Sequence, residues 1–283
     1  MILMKRGTPY SGTCFDLRGK TALVSGGAGL LGLEFSKALY SAGANVVMAD
    51  INKDLLGAAR ASVRKTSSAG KAETCVLDVT DKKSISQCAG YAVRKFGAID
   101  VLVNSAAIDP KYDKSQDTSK NSRFTEFPES MWQLSVSVNL TGAFLLTQEV
   151  CKVMEKQGSG SIINIGSNYG LIGPDQRIYR KKGQKDQTYK PAVYSVCKAG
   201  LIGFTKFLAV YYAGTKIRVN MLTPSGVYNN HDPEFTKNYS ERTVLRRMSR
   251  KDEYGGAVVF LASEASSYMT GSNLVMDGGW TAL

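Results

Sequence analysis

The chain has 283 residues, 43% of them hydrophobic and 21% charged, with a net charge of +12. That length and apolar content suit a single domain with one generous core. The basic charge suits an anionic small-molecule partner, and without a nucleic-acid motif or an aromatic–basic stripe no nucleic-acid partner is expected.

Residues 1–16 read as an N-terminal arm, because Met1–Phe15 is mixed and polar with no apolar stretch fit for a signal peptide. The periodic signal lies in residues 17–283. Thr21–Val24 is a short apolar run rich enough in β-formers for a buried strand. It leads into Ser25-Gly26-Gly27-Ala28-Gly29-Leu30-Leu31-Gly32, then a helical pattern from Leu33 to Ala42 that stops at Gly43. Strand, glycine turn and helix are the setting of a dinucleotide site. Glycines let the backbone approach a pyrophosphate, whose charge is favoured at a helix N-terminus. Asn45–Asp50 reads as a second strand, ending on a carboxylate 18 residues after Gly32. At that spacing an acid accepts hydrogen bonds from the adenine ribose hydroxyls. The same carboxylate repels a 2′-phosphate, and the turn has no Arg or Lys to hold one. NAD is therefore expected in preference to NADP, with Lys53 nearby as the contrary sign.

Further strand-like runs at Glu73–Leu77, Val101–Asn104, Gly160–Ile165, Lys216–Asn220 and Asn273–Met276 alternate with helical segments. The alternation predicts an α/β fold: a single doubly wound domain whose seven-stranded parallel sheet is flanked by helices. The most apolar long segment, Pro191–Gly214, contains Lys198 and Lys206 and reads as a buried helix, with no membrane span expected. Five cysteines without C-x-x-C spacing and a single histidine argue against a disulfide framework or metal site, and point to a cytoplasmic location.

Tyr194 and Lys198 are spaced Y-x-x-x-K, one helical turn, so both project from one helix face. A phenol titrates near pH 10, too high for proton exchange with an alcohol at neutral pH. An adjacent ammonium favours the phenolate, and a downward shift of roughly three units asks about 4 kcal/mol of the surroundings. Each motif is weak alone. In this order, about 170 residues apart, they predict a nucleotide-binding domain ending in a tyrosine acid–base catalyst.

From Leu17 onward the chain resembles a classical short-chain dehydrogenase/reductase, a family with a Rossmann-like fold. The resemblance rests on the glycine turn, Leu77-Asp78-Val79, Asn104-Ser105-Ala106-Ala107, Val138-Asn139-Leu140, Ser167, the Tyr194/Lys198 pair and the closing Asp277-Gly278-Gly279. It implies an oxidoreductase with Asn139, Ser167, Tyr194 and Lys198 as a catalytic tetrad. Ser167 would donate to the substrate oxygen and Tyr194 would exchange its proton. Lys198 would hold the nicotinamide ribose and depress the tyrosine's pKa, while Asn139, at a helix interruption, would anchor a proton-relaying water. The implied cofactor contacts are Gly26, Gly29, Leu30, Leu31, Asp50, Asp78, Val79, Asn104, Ala106, Tyr194, Lys198, Pro224 and Val227. The chain departs from the family pattern at Ser25 for Thr, at Leu30 for the central glycine, at Ser105 and Ala107, and at Pro224-Ser225, where Gly226 comes one place late. Gly29 is expected to supply the freedom lost at Leu30.

Ser167 and Tyr194 stand 27 residues apart, about twice the family's usual spacing. The extra segment, 171–190, has six basic residues against two acids. Both its ends are tied to expected catalytic residues, so it rises from the rim of the site. It reads as a flap in which Arg177 or Arg180 pairs with a phosphate or carboxylate and Tyr179 and Tyr189 stack on a sugar ring. The alternative is a solvated loop, or one touching a neighbouring subunit. Residues 225–250 fall where the family has a substrate lid, with Asn229, Asn230 and His231 placed to meet a polyol.

The segment Ser167-Asn168-Tyr169-Gly170-Leu171-Ile172-Gly173-Pro174-Asp175, followed by Arg177-Ile178-Tyr179, also resembles a bacterial subgroup associated with flagellin modification and nonulosonic-acid biosynthesis. The leading functional expectation is an NAD(H)-dependent oxidoreductase acting on a small anionic sugar or polyol, such as a sugar phosphate or nucleotide sugar. A 3-ketoacyl-carrier-protein reductase using NADPH is the alternative enzyme. A non-catalytic NAD-binding scaffold or sensor is the alternative of another class, against which the intact tetrad argues. The family implies a homodimer or homotetramer formed through helices near Met131–Gln157 and Pro191–Gly214, with Trp280–Leu283 at a second interface.

Overall fold

A computed structural model of the protein describes residues 12–109, 122–180, 183 and 187–283. Residues 1–11 of the expected arm, and Lys181, Lys182, Gln184, Lys185 and Asp186 of the expected flap, lie outside the described residues.

Seven strands form one sheet: β1 (Thr21–Ser25), β2 (Asn45–Asp50), β3 (Ala72–Val76), β4 (Val101–Asn104), β5 (Ser159–Ile165), β6 (Lys216–Pro224) and β7 (Asn273–Met276). Their order is β3-β2-β1-β4-β5-β6-β7, and every neighbouring pair is parallel. The main helices are α1 (Leu30–Ser41), α2 (Lys53–Arg64), α3 (Lys82–Phe96), α4 (Glu129–Val136), α5 (Gly142–Gln157), α6 (Ala192–Tyr211), α7 (Pro233–Glu241) and α8 (Gly255–Ala262).

Side chains alternate across the sheet, so each inner strand feeds two cores. Ala22, Val24, Val46, Met48, Val101 and Val103 pack on one face with Phe35 and Leu39 of α1 and Val258 and Leu261 of α8. Leu23, Val47, Leu102, Ile162 and Val219 pack on the other with Ile85 of α3 and Leu146, Val150 and Met154 of α5. A fully buried aliphatic side chain contributes about 1.5–3 kcal/mol, which explains why these runs hold no charge.

The predicted strands all form, β2, β4 and β7 with the predicted bounds and the others with shifted ends. β6 continues past Asn220 to Pro224, because Met221, Leu222 and Thr223 are fully buried between β5 and β7. The helix predicted to begin at Leu33 begins at Leu30, directly after the turn in which the Gly29 N–H donates to the Gly26 carbonyl. The long helix predicted over Met131–Gln157 is interrupted: a π-helical turn, Ser137–Thr141, joins α4 to α5. The wider turn holds Asn139 inward, at 2% exposure. The chain leaves β1 for β2 on one side while β4 lies on the other. That reversal opens a crevice at the carboxyl ends of β1 and β4, where open α/β sheets bind ligands.

Candidate active site

A cavity of about 600 Å³ opens over this crevice, bounded by the β1–α1 turn at one end and the start of α6 at the other. Gly26 adopts φ +65°, and a Cβ there would stand 2.8 Å from the Ala106 Cα, so glycine is needed for conformation and for space. Gly29 does not play the part expected of it. At φ −76° and ψ 177° it has a backbone open to any residue. Leu30 is simply the first residue of α1, with its side chain at the cavity, and strains nothing. Ser25 makes the tie between turns: its Oγ accepts from the Ser105 and Ala106 N–H groups at 3.1 and 3.2 Å. No side chain caps the N-terminus of α1, where Leu30, Leu31 and Gly32 line the cavity. These backbone donors and the helix dipole favour an anionic group there.

Asp50 lines the same end, its carboxylate held by the N–H groups of Ala28 (3.1 Å) and Asn52 (3.0 Å). Asp78 and Val79 lie beside it, and the Asp78 Oδ1 accepts from the Thr80 N–H at 2.8 Å. Ala106, Pro224 and Val227 also line the cavity. Asn104 is the exception among the expected cofactor contacts. Its buried amide donates to the Thr147 Oγ1 and Asn164 Oδ1, both at 2.8 Å, bracing β4 against β5 and α5 below the cavity.

Ser167, Tyr194 and Lys198 all line the far end. Ser167 follows β5, and its hydroxyl accepts from the Tyr169 N–H at 3.2 Å. Tyr194 stands in the first turn of α6, and Lys198, one turn on, is 5% exposed. The Lys198 ammonium donates to the Ile165 carbonyl at 2.8 Å and lies 5.8 Å from the Tyr194 ring centroid. The electrostatics correct the sequence expectation of a depressed tyrosine. Burial pushes the Tyr194 hydroxyl well above its ordinary pKa and the Asp109 carboxylate adds to this, while a hydrogen bond with Ser167 works against it. Burial also pushes Lys198 down to about 8, with Cys197 and Asp109 resisting. Desolvation outweighs the single-turn attraction because both groups sit inside the protein.

Asn139 comes close to this centre without lining the cavity. Its Nδ2 donates to the Ile108 carbonyl and its Oδ1 accepts from the Ile108 N–H, each at 2.8 Å. Each end of the amide is thus held once by the Ile108 backbone, which fixes Asn139 beside the cavity.

The flap cations also differ from expectation. Arg177 is turned outward, its side chain 75% exposed and bonded to Asp175 through Nε (2.8 Å) and Nη2 (2.9 Å). Arg180 is exposed and does not line the cavity, nor does Tyr189. Among the described flap residues, those that do are Tyr179 and Lys190, the latter overlooked in the sequence although it stands one Y-x-x-x-K interval before Tyr194. The Lys190 ammonium lies 4.1 Å from the Tyr194 ring centroid and pairs with Asp109.

The expected lid supplies an aromatic wall. Asp232 caps α7, accepting from the Glu234 and Phe235 N–H groups, and Pro233 opens the helix. Phe235 and Tyr239, spaced i and i+4, both line the cavity. The Phe235 ring lies 5.5 Å from Tyr179, and Tyr239 lies 4.3 Å from Trp280. The Tyr239 hydroxyl accepts from the Gly226 N–H at 2.6 Å, and a Cβ at Gly226 would collide with the ring at 2.4 Å. The late glycine after β6 therefore seats the lid helix. Asn229 and His231 reach the mouth of the cavity.

Residues 28–281 match the family model described as Enoyl-(Acyl carrier protein) reductase. The chain is 34% identical over 269 residues to the 3-oxoacyl-(acyl-carrier-protein) reductase FabG of Thermotoga maritima, covering 93% of this chain and 98% of that one. It is 30% identical over 272 residues to D-threitol dehydrogenase of Mycolicibacterium smegmatis, covering 94% and 95%. The chain belongs to the classical short-chain dehydrogenase/reductase family. A gluconate 5-dehydrogenase from Burkholderia cenocepacia, solved in complex with NADP and tartrate, superposes with a TM-score of 0.80 at 28% identity, covering 95% of this chain and 98% of that one. The protein is accordingly an NAD(P)-dependent dehydrogenase or reductase acting on alcohols or ketones. Its glycine cradle and uncapped α1 N-terminus fit the pyrophosphate of a nicotinamide dinucleotide.

Proposed function

We propose that the protein is a cytoplasmic, NAD(H)-dependent oxidoreductase that interconverts a secondary alcohol and a ketone on a small anionic sugar or polyol. The observation that carries the reading is the joint placement of Ser167, Tyr194 and Lys198 at one end of a cavity whose other end is the glycine cradle. The bound nicotinamide supplies or accepts the hydride. Ser167 orients the substrate oxygen, and Tyr194 gives or takes its proton. Lys198 holds the nicotinamide ribose, and Asn139 holds the Ile108 backbone in register beside the centre. The fixed Asp50 carboxylate supports NAD: among the described residues, the Lys and Arg side chains lining the cavity are Lys190 and Lys198, both near Tyr194. The anionic class rests on Lys190, the polyol on Asn229 and His231, and a ring-shaped substrate on the faces of Tyr179 and Phe235.

A panel of sugar acids, sugar phosphates and neutral polyols, assayed with NAD and NADP by reduced-cofactor absorbance, tests this directly. Turnover confined to neutral substrates ends the anionic reading. The 34% identity to FabG favours one second reading, reduction of a carrier-linked ketoester with NADPH. A strong NADPH bias in the same assay selects it. If Asp50 sets the preference, Asp50→Ser raises kcat/KM for NADPH relative to NADH by about tenfold or more, roughly 1.4 kcal/mol.

The family habit of association also has a surface here. Val196, Phe207 and Val210 are exposed along one stripe of α6, and a Cβ at Gly203, in the same stripe, would meet nothing. This supports a homodimer or homotetramer closed through α6. Sedimentation of a Phe207→Glu, Val210→Glu variant is expected to show a smaller species than the parent. An unchanged sedimentation coefficient rejects that interface.

A further inference from the structure

Lys190 and Asp109 come from separate segments, yet one amide clamps the backbone of Lys190 and another that of the residue before Asp109. The Gln176 side chain accepts from the Lys190 N–H at 2.8 Å and donates to the Lys190 carbonyl at 3.1 Å. Asn139 grips the N–H and carbonyl of Ile108, the residue before Asp109, in the same two-handed way. The clamped ends bring the two charges together at the cavity, where the Lys190 side chain is 11% exposed and its ammonium lies nearer the Tyr194 ring than that of Lys198 does. An ordinary surface ion pair is not positioned at both backbones, nor placed against one aromatic ring.

We propose that Lys190 and Asp109 are a pair of positioning residues of opposite sign that set the pH at which Tyr194 exchanges its proton, the ammonium favouring the phenolate and the carboxylate opposing it. The proposal rests on Tyr194 being the proton donor. The other groups facing Tyr194 are Lys198 on its own helix, Ser167 after β5, Tyr169 beyond it, Tyr179 of the flap, Tyr239 of α7 and His231 at the cavity mouth. Burial raises the Tyr169, Tyr179 and Tyr239 phenols, Tyr239 to about 12, as it raises Tyr194. Lys198 is engaged by the Ile165 carbonyl. Beside Lys198, the pair brings one charge of each sign to the ring, and its two effects oppose each other while both are present. The long Ser167–Tyr194 insertion then has a physical use, since it carries a second cation to the tyrosine ring beside Lys198.

The test reads the ionisation of Tyr194 itself and needs no substrate. Protein labelled with 3-fluorotyrosine is titrated by fluorine NMR, and the Tyr194 signal is assigned by its loss in Tyr194→Phe. Lys190→Met is expected to raise the Tyr194 midpoint, and Asp109→Asn to lower it, each by on the order of one pH unit. Lys190→Arg keeps the charge and holds the midpoint near the parent value, and the Lys190→Met, Asp109→Asn double variant returns towards it. Midpoints that stay put, or move in the same direction in both single variants, overturn the proposal. If Lys190→Met fails to fold, Lys190→Gln takes its place, with the same rise expected and an unmoved midpoint overturning the proposal. Turnover surviving in Tyr194→Phe would remove the proton-donor reading instead, whatever the NMR midpoints do.

Discussion

Tyr194→Phe is expected to lower kcat by about a thousandfold or more, within the range that positioned acid–base groups supply, while leaving binding of reduced cofactor within about a factor of two. Removing the hydroxyl deletes the group proposed to pass a proton to the oxygen that Ser167 would orient. The ring remains, so its contact with the Lys190 ammonium and its packing with the aromatic wall persist. The proposed cofactor contacts of the glycine cradle, Asp50 and Lys198 keep all their atoms in this variant. Steady-state rates on the best substrate of the panel, with a fluorescence titration of reduced cofactor, check both halves. A variant that turns over normally assigns the proton to another group.

Gly32→Ala is expected to destabilise the fold by about 2 kcal/mol or more and to weaken cofactor binding with it. A Cβ at Gly32 would stand 2.1 Å from the Gly26 carbonyl oxygen and 2.8 Å from its carbon, and backbone cannot swing aside as a long side chain can. The first turn of α1 would have to lift away from β1, taking with it the donors that line the cavity. The control is Gly57→Ala in α2, where the added methyl meets nothing and the helix gains roughly 0.5–1 kcal/mol. Calorimetric melting of both variants, with a cofactor titration, separates the effects. A Gly32→Ala protein that melts with the parent would mean that the turn yields more easily than its contacts indicate.

These expectations draw on the sequence unequally. The strand–turn–helix at Thr21–Ser41 and the Tyr194/Lys198 pair were legible because each is local: a few consecutive residues define it, and helical period or turn chemistry carries it into space. The same holds for β4, whose bounds match the prediction residue for residue. Asn104 was misread because a strand pattern does not say which buried polar group spans to a neighbour, here Asn164 on β5. Arg177 was misread for a related reason. The nearest acid in sequence, Asp175, also receives Arg242 from beyond α7, and that ion pair holds Arg177 outside.

The family, the seven parallel strands, the cofactor cradle and the tyrosine–lysine pair were thus written in the order and spacing of residues, since each depends on neighbours along the chain. Which flap cation enters the site, and the sign of the tyrosine's shift, were decided only by tertiary structure. Lys190 reaches Tyr194 because Gln176 pins its backbone and Asp109, 81 positions away, draws its ammonium inward. Burial among Tyr169, Tyr239 and Trp280 withdraws water from the phenol, and no interval between residues encodes the loss of solvent.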